Sequence, residues 1–332
     1  MVSAWVFVVW GNPKYLVGAI AGAASLRQVG TVHHVVLLWA KMEETELMRE
    51  LKYKGKGEKV FDLVEETELL RFRVNPLKTD KQMELYGGEF SETANTKWQC
   101  LALEQYQKVM FMDSDIIFRR NCDSLFSLPA PAATFSSPFS RTYGGGFPDP
   151  YRGLRHGEKV AENRIRQGLR ESTVAAGSMV LLEPSKEAQA AHIEWMRAHE
   201  PYGHPCYSAI DEQAITEFML DWGKKIPGFS GWTHIEPRYQ AIPWKNKWCP
   251  GIDILDPEHG AFSLHFYHSK IWEKGEGNDW PDTVVFWCMW HKFAVKCPKI
   301  ERLTRELMEY YVTPKDMPKK YGQDKIKKLC KK

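Results

Sequence analysis

Several things are missing from this chain of 332 residues, and each absence excludes something. None of its seven cysteines (Cys100, Cys122, Cys206, Cys249, Cys288, Cys297 and Cys330) forms a CxxC pair or a zinc-type spacing, so a thiol-held zinc module is not indicated. The apolar run at residues 4–9 has no basic segment before it and no cleavage pattern after it. Together with the odd cysteine count, this leads us to expect reduced thiols and a cytoplasmic location. The aromatic stretch at residues 280–290 contains Asp282 and is too short to cross a bilayer. An excess of one charge is lacking too: 45 Lys+Arg against 42 Asp+Glu leave +3, too balanced for a chain devoted to nucleic acid. Neither an internal repeat nor a low-complexity linker is present. Global disorder is excluded, because 43% hydrophobic and 13% aromatic residues suffice for a sizeable core.

The charge that is present is unevenly placed. Residues 314–332 hold eight Lys and two Asp, a local +6 that leaves the other 313 residues at −3. We read this tail as a solvated terminus, one that admits a weak electrostatic contact with an anionic membrane surface.

Hydrophobic patterning organises the rest. Residues 4–10 form a continuous β-branched and aromatic run ended by Gly11-Asn12-Pro13, as a strand buried on both faces reads. Residues 15–28 have helical spacing and a face of small residues, including Gly18, Ala19 and Gly22. A second strand is expected at 34–39, a charged helix at 43–53 and a third strand at 59–63. Strand, helix, strand, helix, strand is the opening of a doubly wound α/β sheet. A helix at 93–107 then leads into a strand at 108–112 that stops at Asp113-Ser114-Asp115. Further strands are expected at 173–182 and 261–267, and helices at 186–199, 211–222 and 282–295.

In open α/β sheets, ligands sit beyond the carboxyl ends of strands, which is where Asp113 and Asp115 fall. Two carboxylates two residues apart share one side of an extended backbone, and a hard divalent cation relieves their repulsion. Apolar strand residues on both sides of the pair argue against mere solubilising charge. His265 also ends a strand, and imidazole suits Mn²⁺ better than Mg²⁺.

Several blocks resemble, in order along the chain, the glycogenin-like glycosyltransferases of family 8. They are Asn12-Pro13-Lys14-Tyr15-Leu16-Val17-Gly18-Ala19, Thr96-Lys97-Trp98, and Gln105 through Asp115. Cys122-Asp123-Ser124-Leu125-Phe126, Ala176-Gly177-Ser178-Met179, Glu212-Gln213-Ala214-Ile215 and His265-Phe266 with Lys270-Ile271-Trp272 continue the series. The resemblance covers roughly residues 4 to 272. It implies an α/β fold: a single GT-A, Rossmann-like nucleotide-sugar-binding domain over residues 1–300, with a mixed, mostly parallel central sheet. Residues 301–332 would be a C-terminal helix and Lys-rich tail. It also implies retaining sugar transfer from a UDP-sugar with Mn²⁺ (or Mg²⁺), to a protein, oligosaccharide or lipid-linked glycan.

Carried over by position, Asp113, Asp115 and His265 would hold the metal. Val9, Gly11, Asn12 and Tyr15 would line the nucleoside, with Tyr15 stacking on the base. Lys97, Ser114 and Lys270 would meet the sugar-diphosphate, and Asp211, Glu212 and Gln213 would supply the catalytic contacts to the sugar. Where the family has Asn-Ser-Gly, this chain has Ala175-Ala176-Gly177, and His268 replaces a glycine. The first departure, with Glu212-Gln213 in place of the family's Asp-Gln, puts glucose as the donor sugar in question; the second bears on the diphosphate geometry, and both keep open a degenerate member that binds without turnover. A sugar nucleotidyltransferase would need a Gly-rich basic loop after the first strand, which Trp10-Gly11-Asn12-Pro13 is not. The basic segment from Arg152 to Arg170 and the aromatics Trp232, Tyr239, Trp244 and Trp248 are weighed as acceptor-side contacts against plain surface and core roles.

Overall fold

The computed structural model describes residues 2–52, 59–77, 80, 83, 87–226, 229, 231–243, 249, 253–256, 258–267, 270–275 and 282–330. Trp244, Trp248 and His268 lie outside the described residues.

In chain order the elements are β1 (Ala4–Trp10), α1 (Tyr15–Gln28), β2 (His34–Ala40), α2 (Glu46–Lys52), β3 (Leu63–Glu66) and α3 (Glu89–Thr93). A 3₁₀ segment, Ala94–Ala102, precedes β4 (Val109–Met112), β5 (Ile116–Phe118) and β6 (Ala132–Ala133). Then come α4 (Glu162–Glu171), β7 (Met179–Leu182), α5 (Lys186–Ala198), α6 (Ile210–Gly223), β8 (Thr233–His234) and β9 (Ser263–His265). The chain closes with α7 (Thr283–Lys296), α8 (Pro298–Arg305), α9 (Met317–Tyr321) and α10 (Gln323–Cys330). Among the described residues, no helix is long and apolar enough to cross a membrane.

The main sheet has the strand order β3-β2-β1-β4-β7-β6-β8. Pairing is parallel for β1/β4, β2/β3 and β6/β8, and antiparallel for β4/β7 and β6/β7. It is thus the mixed, mostly parallel sheet that the sequence implies.

Two compact units are distinguished within the chain. The first comprises residues 1–8, 67–112 and 124–237. One of its apolar clusters gathers Leu70, Phe72, Ala94, Met196, Tyr202, Ile210 and Ala214. The second comprises residues 9–66, 113–123 and 238–332. Here the small face of α1 lies against β5, and Ser25 Oγ accepts the Phe118 N–H at 2.9 Å. The antiparallel pair β5/β9 sets His265 opposite Ile116, one residue past Asp115.

Four expected elements differ from the structure, the first three because side chains take over backbone bonds. The third strand begins at Leu63 rather than residue 59. Asp62 exchanges bonds with Val35 through both its backbone and its carboxylate and pairs with Arg27, so ladder pairing starts beyond it. The helix expected at 93–107 is the short α3 followed by 3₁₀ turns, where Thr96 Oγ1 bonds Leu70 and Thr93 Oγ1 bonds the Glu89 carbonyl. The strand expected at 173–182 shrinks to Met179–Leu182. The N–H groups of Val174 and Gly177 donate to Ser208 Oγ and Glu212 Oε1 instead of a neighbouring strand. The last strand keeps only Ser263–His265.

The expectation of seven reduced thiols does not hold. Cys288 is disulfide-bonded, whereas Cys100, Cys122, Cys206, Cys249 and Cys297 remain thiols. Spacing along a chain cannot reveal a pairing that only the tertiary fold makes.

Candidate active site

Each unit gathers one of the two groups of residues singled out in the sequence. In the second, the segment that follows β4 runs from Asp113 through a turn at Ser114-Asp115 directly into β5. The turn is held from behind, because the Phe266 N–H donates to the Asp115 carbonyl at 3.0 Å. His265, fixed opposite Ile116, presents Nε2 at 3.2 Å from Asp115 Oδ1 and 3.9 Å from Asp113 Oδ2. The two carboxylates thus converge from a turn, not from an extended strand as the spacing alone suggests. One ligand atom from each of Asp113, Asp115 and His265 lies within 4.8 Å of the others, so the three could hold a metal ion. Their donor chemistry, two carboxylates and an imidazole, suits a cation such as Mn²⁺.

The two acids are not equivalent. The Asp115 side chain is 5% exposed and that of Asp113 is 25% exposed. Lys270 Nζ donates to Asp115 Oδ2 and, at 3.1 Å, to the Tyr267 carbonyl. Burial alone would raise the Asp115 pKa, but the Lys270 ammonium and the His265 imidazole outweigh it and hold the carboxyl far below the usual range. Burial in turn lowers the Lys270 pKa, and the charge of Asp115 more than reverses this.

Lys270 Nζ also stands 5.7 Å from the centroid of the Tyr15 ring. Tyr15 is 37% exposed at the start of α1 and meets Trp272 edge-on at 6.4 Å. Of the other expected nucleoside residues, Val9 is buried and Gly11 has φ +70, with its N–H on the Ala40 carbonyl at 3.3 Å. Asn12 Oδ1 accepts the Lys14 N–H at 3.0 Å, and this shapes the turn into α1. Ser114 is buried, and its carbonyl points at Gly18.

The first unit holds Lys97, Asp211, Glu212 and Gln213. Lys97 Nζ lies 2.8 Å from Asp211 Oδ2, with side chains 8% and 0% exposed, and it stands over the Phe111 ring. Glu212 sits in the first turn of α6. Its two carboxylate oxygens accept the N–H groups of Gly177 at 2.8 Å and of Ala209 at 3.1 Å. Burial and the neighbouring Asp211 charge push the Glu212 carboxyl up to about 7. Gln213 is fully buried; its amide accepts the Cys206 N–H at 3.1 Å and donates to the Ser208 carbonyl at 2.5 Å. Gln213 therefore holds the loop that leads into α6.

The other weighed residues have plainer roles. Arg164 donates to the carbonyls of Pro150 and Arg152, and Arg166 pairs with Glu162. Trp232 is buried against Phe135, and Tyr239 is stacked on Phe262 at 4.3 Å. Reading the sequence missed the contribution of Trp272, which packs on Gly18 and whose carbonyl accepts the N–H groups of Glu309 and Tyr310 at 2.9 and 3.1 Å. The small-residue face of α1 was the one signal that something packs there closely.

No protein-family model matches the chain. Uncharacterized protein R707 of Acanthamoeba polyphaga mimivirus is 30% identical over 184 residues, 55% of this chain and 56% of that protein. UDP-glucuronate:xylan alpha-glucuronosyltransferase 2 of Arabidopsis thaliana is 31% identical over 132 residues, 40% of this chain and 20% of that protein. The chain thus spans about half the length of the first relative and about a fifth of the second. Among solved structures, the WbbM bifunctional glycosyltransferase covers 93% of this chain and 52% of its own, with TM-score 0.53 and 12% identity. Glycosyltransferase GlyE of Streptococcus pneumoniae TIGR4 covers 93% and 65%, with TM-score 0.51 and 14% identity. Likeness at such identities speaks for the fold, which is the α/β GT-A fold of glycosyltransferases. Within that class, UDP-glucuronate:xylan alpha-glucuronosyltransferases 1 and 2 of Arabidopsis thaliana are sequence relatives with a named activity, and the likeness extends over 37–40% of this chain.

Proposed function

We propose that the protein is a metal-dependent, retaining glycosyltransferase that moves a sugar from a UDP-linked donor to a protein, oligosaccharide or lipid-linked glycan. The observation that carries this reading is the convergence of Asp113, Asp115 and His265 around one point at the carboxyl end of β4. These three residues would hold the cation. When bound, it supplies positive charge to a departing diphosphate, whose negative charge grows as the glycosyl–phosphate bond breaks.

The chain's own residues do the remaining work in this reading. Lys270 adds a second positive charge for the diphosphate, which stabilises the transition state more than the ground state. The partly exposed Tyr15 offers a face for the base, beside Val9, Gly11 and Asn12. Glu212 is the carboxylate for the transferred sugar. Lys97 neutralises Asp211 next to it, and Gln213 sets the loop before α6. Retention follows either from a carboxylate nucleophile or from attack on the same face as the leaving group, and Glu212 would contact the sugar in both.

A panel of UDP- and GDP-sugars with Mn²⁺ and no acceptor tests this, by scoring the nucleoside diphosphate released through slow donor hydrolysis. UDP-glucuronate belongs in it, because two of the sequence relatives are UDP-glucuronate:xylan alpha-glucuronosyltransferases. We expect release from one sugar, reduced on the order of 10²-fold or more by Asp115→Ala and abolished by EDTA. Release that ignores both would sink the metal-dependent reading.

A further inference from the structure

The pairing of Lys270 with Asp115 bears on how the site fills. Asp115 is the most buried acid of the triad, with Oδ1 turned to His265 and Oδ2 bonded by the Lys270 ammonium. An ammonium on that oxygen neutralises the carboxylate that a divalent cation would need most. The two cations repel at this range, in a setting where both side chains are largely screened from water: Lys270 is 14% and Asp115 5% exposed. One must yield.

The main chain around Lys270 is not free to move with it. The Glu273 N–H donates to the Lys270 carbonyl at 3.0 Å, and the Trp272 carbonyl is held by Glu309 and Tyr310. The Trp272 ring is lodged against Gly18. The lysine side chain, however, is a flexible four-carbon stem, and among the described residues its Nζ is shared by Asp115, the Tyr267 carbonyl and the Tyr15 face. A swing of the side chain away from Asp115 leaves the loop in place. Among the described residues, the charged and titratable groups around it are Asp113, Asp115, His265, Tyr15 and Glu273, none of which is a stronger anion than a diphosphate.

We propose that Lys270 is a built-in cation that guards the metal site: it keeps Asp115 engaged in the nucleotide-free protein and transfers to the diphosphate when a donor binds. This rests on the metal and nucleotide reading above. The consequence is cooperative loading. The free protein takes up a divalent cation weakly, and nucleotide binding removes the competitor as well as adding ligands. By linkage, each ligand then strengthens the other by the same factor. The device keeps a bare metal ion from settling in the site before its substrate.

Titration of the full-length protein with Mn²⁺, followed by calorimetry or by loss of the free Mn²⁺ paramagnetic signal, tests this directly without any turnover. Lys270→Met should bind Mn²⁺ in the absence of nucleotide at least about tenfold tighter than the wild type, while Lys270→Arg, which keeps the charge, should stay as weak as the wild type. Added UDP should tighten Mn²⁺ binding by a larger factor in the wild type than in Lys270→Met. Lys270→Gln keeps a donor for Asp115 and serves in its place if the Met variant does not fold. Equal Mn²⁺ affinity in the nucleotide-free wild type and the uncharged variant overturns the guarding role and leaves the metal site standing. Failure of every protein to take up Mn²⁺, with or without UDP, overturns the metal reading itself.

Discussion

A Cβ placed on Gly18 would stand 2.1 Å from the carbonyl oxygen of Ser114. The same atom would lie 2.4 Å from the Trp272 ring. The turn that carries Asp113 and Asp115 and the loop that carries Lys270 therefore rest on one point of α1, where only a hydrogen fits. Gly18→Ala should lower the unfolding free energy by about 1–3 kcal/mol, the usual cost of overpacking. It should also weaken joint Mn²⁺ and UDP binding, because both loops must shift to admit the methyl group. Denaturant titration and calorimetry on one preparation check this, and unchanged UDP affinity would separate the packing from the site.

The unequal burial of the two acids predicts unequal penalties. Asp113→Asn and Asp115→Asn should each weaken Mn²⁺ uptake. Only Asp115→Asn should also destabilise the metal-free protein, by about 1–3 kcal/mol, because it removes the charge-assisted bond that the buried carboxylate makes with the Lys270 ammonium. Asp113, on the more open side, should cost no more than about 0.5 kcal/mol. Urea denaturation in EDTA distinguishes the two.

Lys97 and Asp211 predict a different pattern. Both are buried, so Lys97→Met leaves a carboxylate without its counter-charge and should cost about 3–5 kcal/mol. Adding Asp211→Asn should restore much of that loss, since the uncompensated charge disappears with it. If the double variant is as unstable as the single one, Lys97 contributes through packing on Phe111 and not through charge.

Glu212 makes stability depend on pH in a stated direction. Its folded pKa, pushed up to about 7 by burial and then by the Asp211 charge, lies above the ordinary value of 4.5. Its contribution is therefore fully present below about pH 4.5 and is lost as pH rises through about 7. Glu212→Gln removes that titration. The variant forfeits one of the two N–H bonds at every pH, but its stability relative to the wild type should improve between pH 5 and pH 8. Parallel denaturation curves at the two pH values measure this difference of differences. A constant offset would mean that Glu212 ionises normally.

Much of the site was legible as a list of residues. Asp113, Asp115 and His265 stood at strand ends, where doubly wound sheets bind ligands, and the structure brings them together. The roles inside the list were less legible. Gln213 looks like a catalytic amide in sequence, yet both ends of its amide are spent on Cys206 and Ser208. Trp272 has no role of its own in the sequence reading, yet it anchors the Lys270 loop. The strands expected at 59–63 and 173–182 read well by composition but lost residues to Asp62, Ser208 and Glu212, whose side chains took the backbone bonds. Hydrophobic patterning reports which residues want burial, not which neighbour will claim a given N–H.

What the sequence determined by itself was the α/β alternation, the apolar strand ending at Asp113, and the small face of α1, because these depend on side chains within a few residues of one another. Only the tertiary structure decided that β4 pairs antiparallel with β7, that Cys288 is oxidised, and that Lys270 lies on Asp115 across 155 positions of chain. Those outcomes depend on which distant segments meet. Contacts of that kind are set by the packing of whole elements, whose information is spread over the full chain and collected at no single motif.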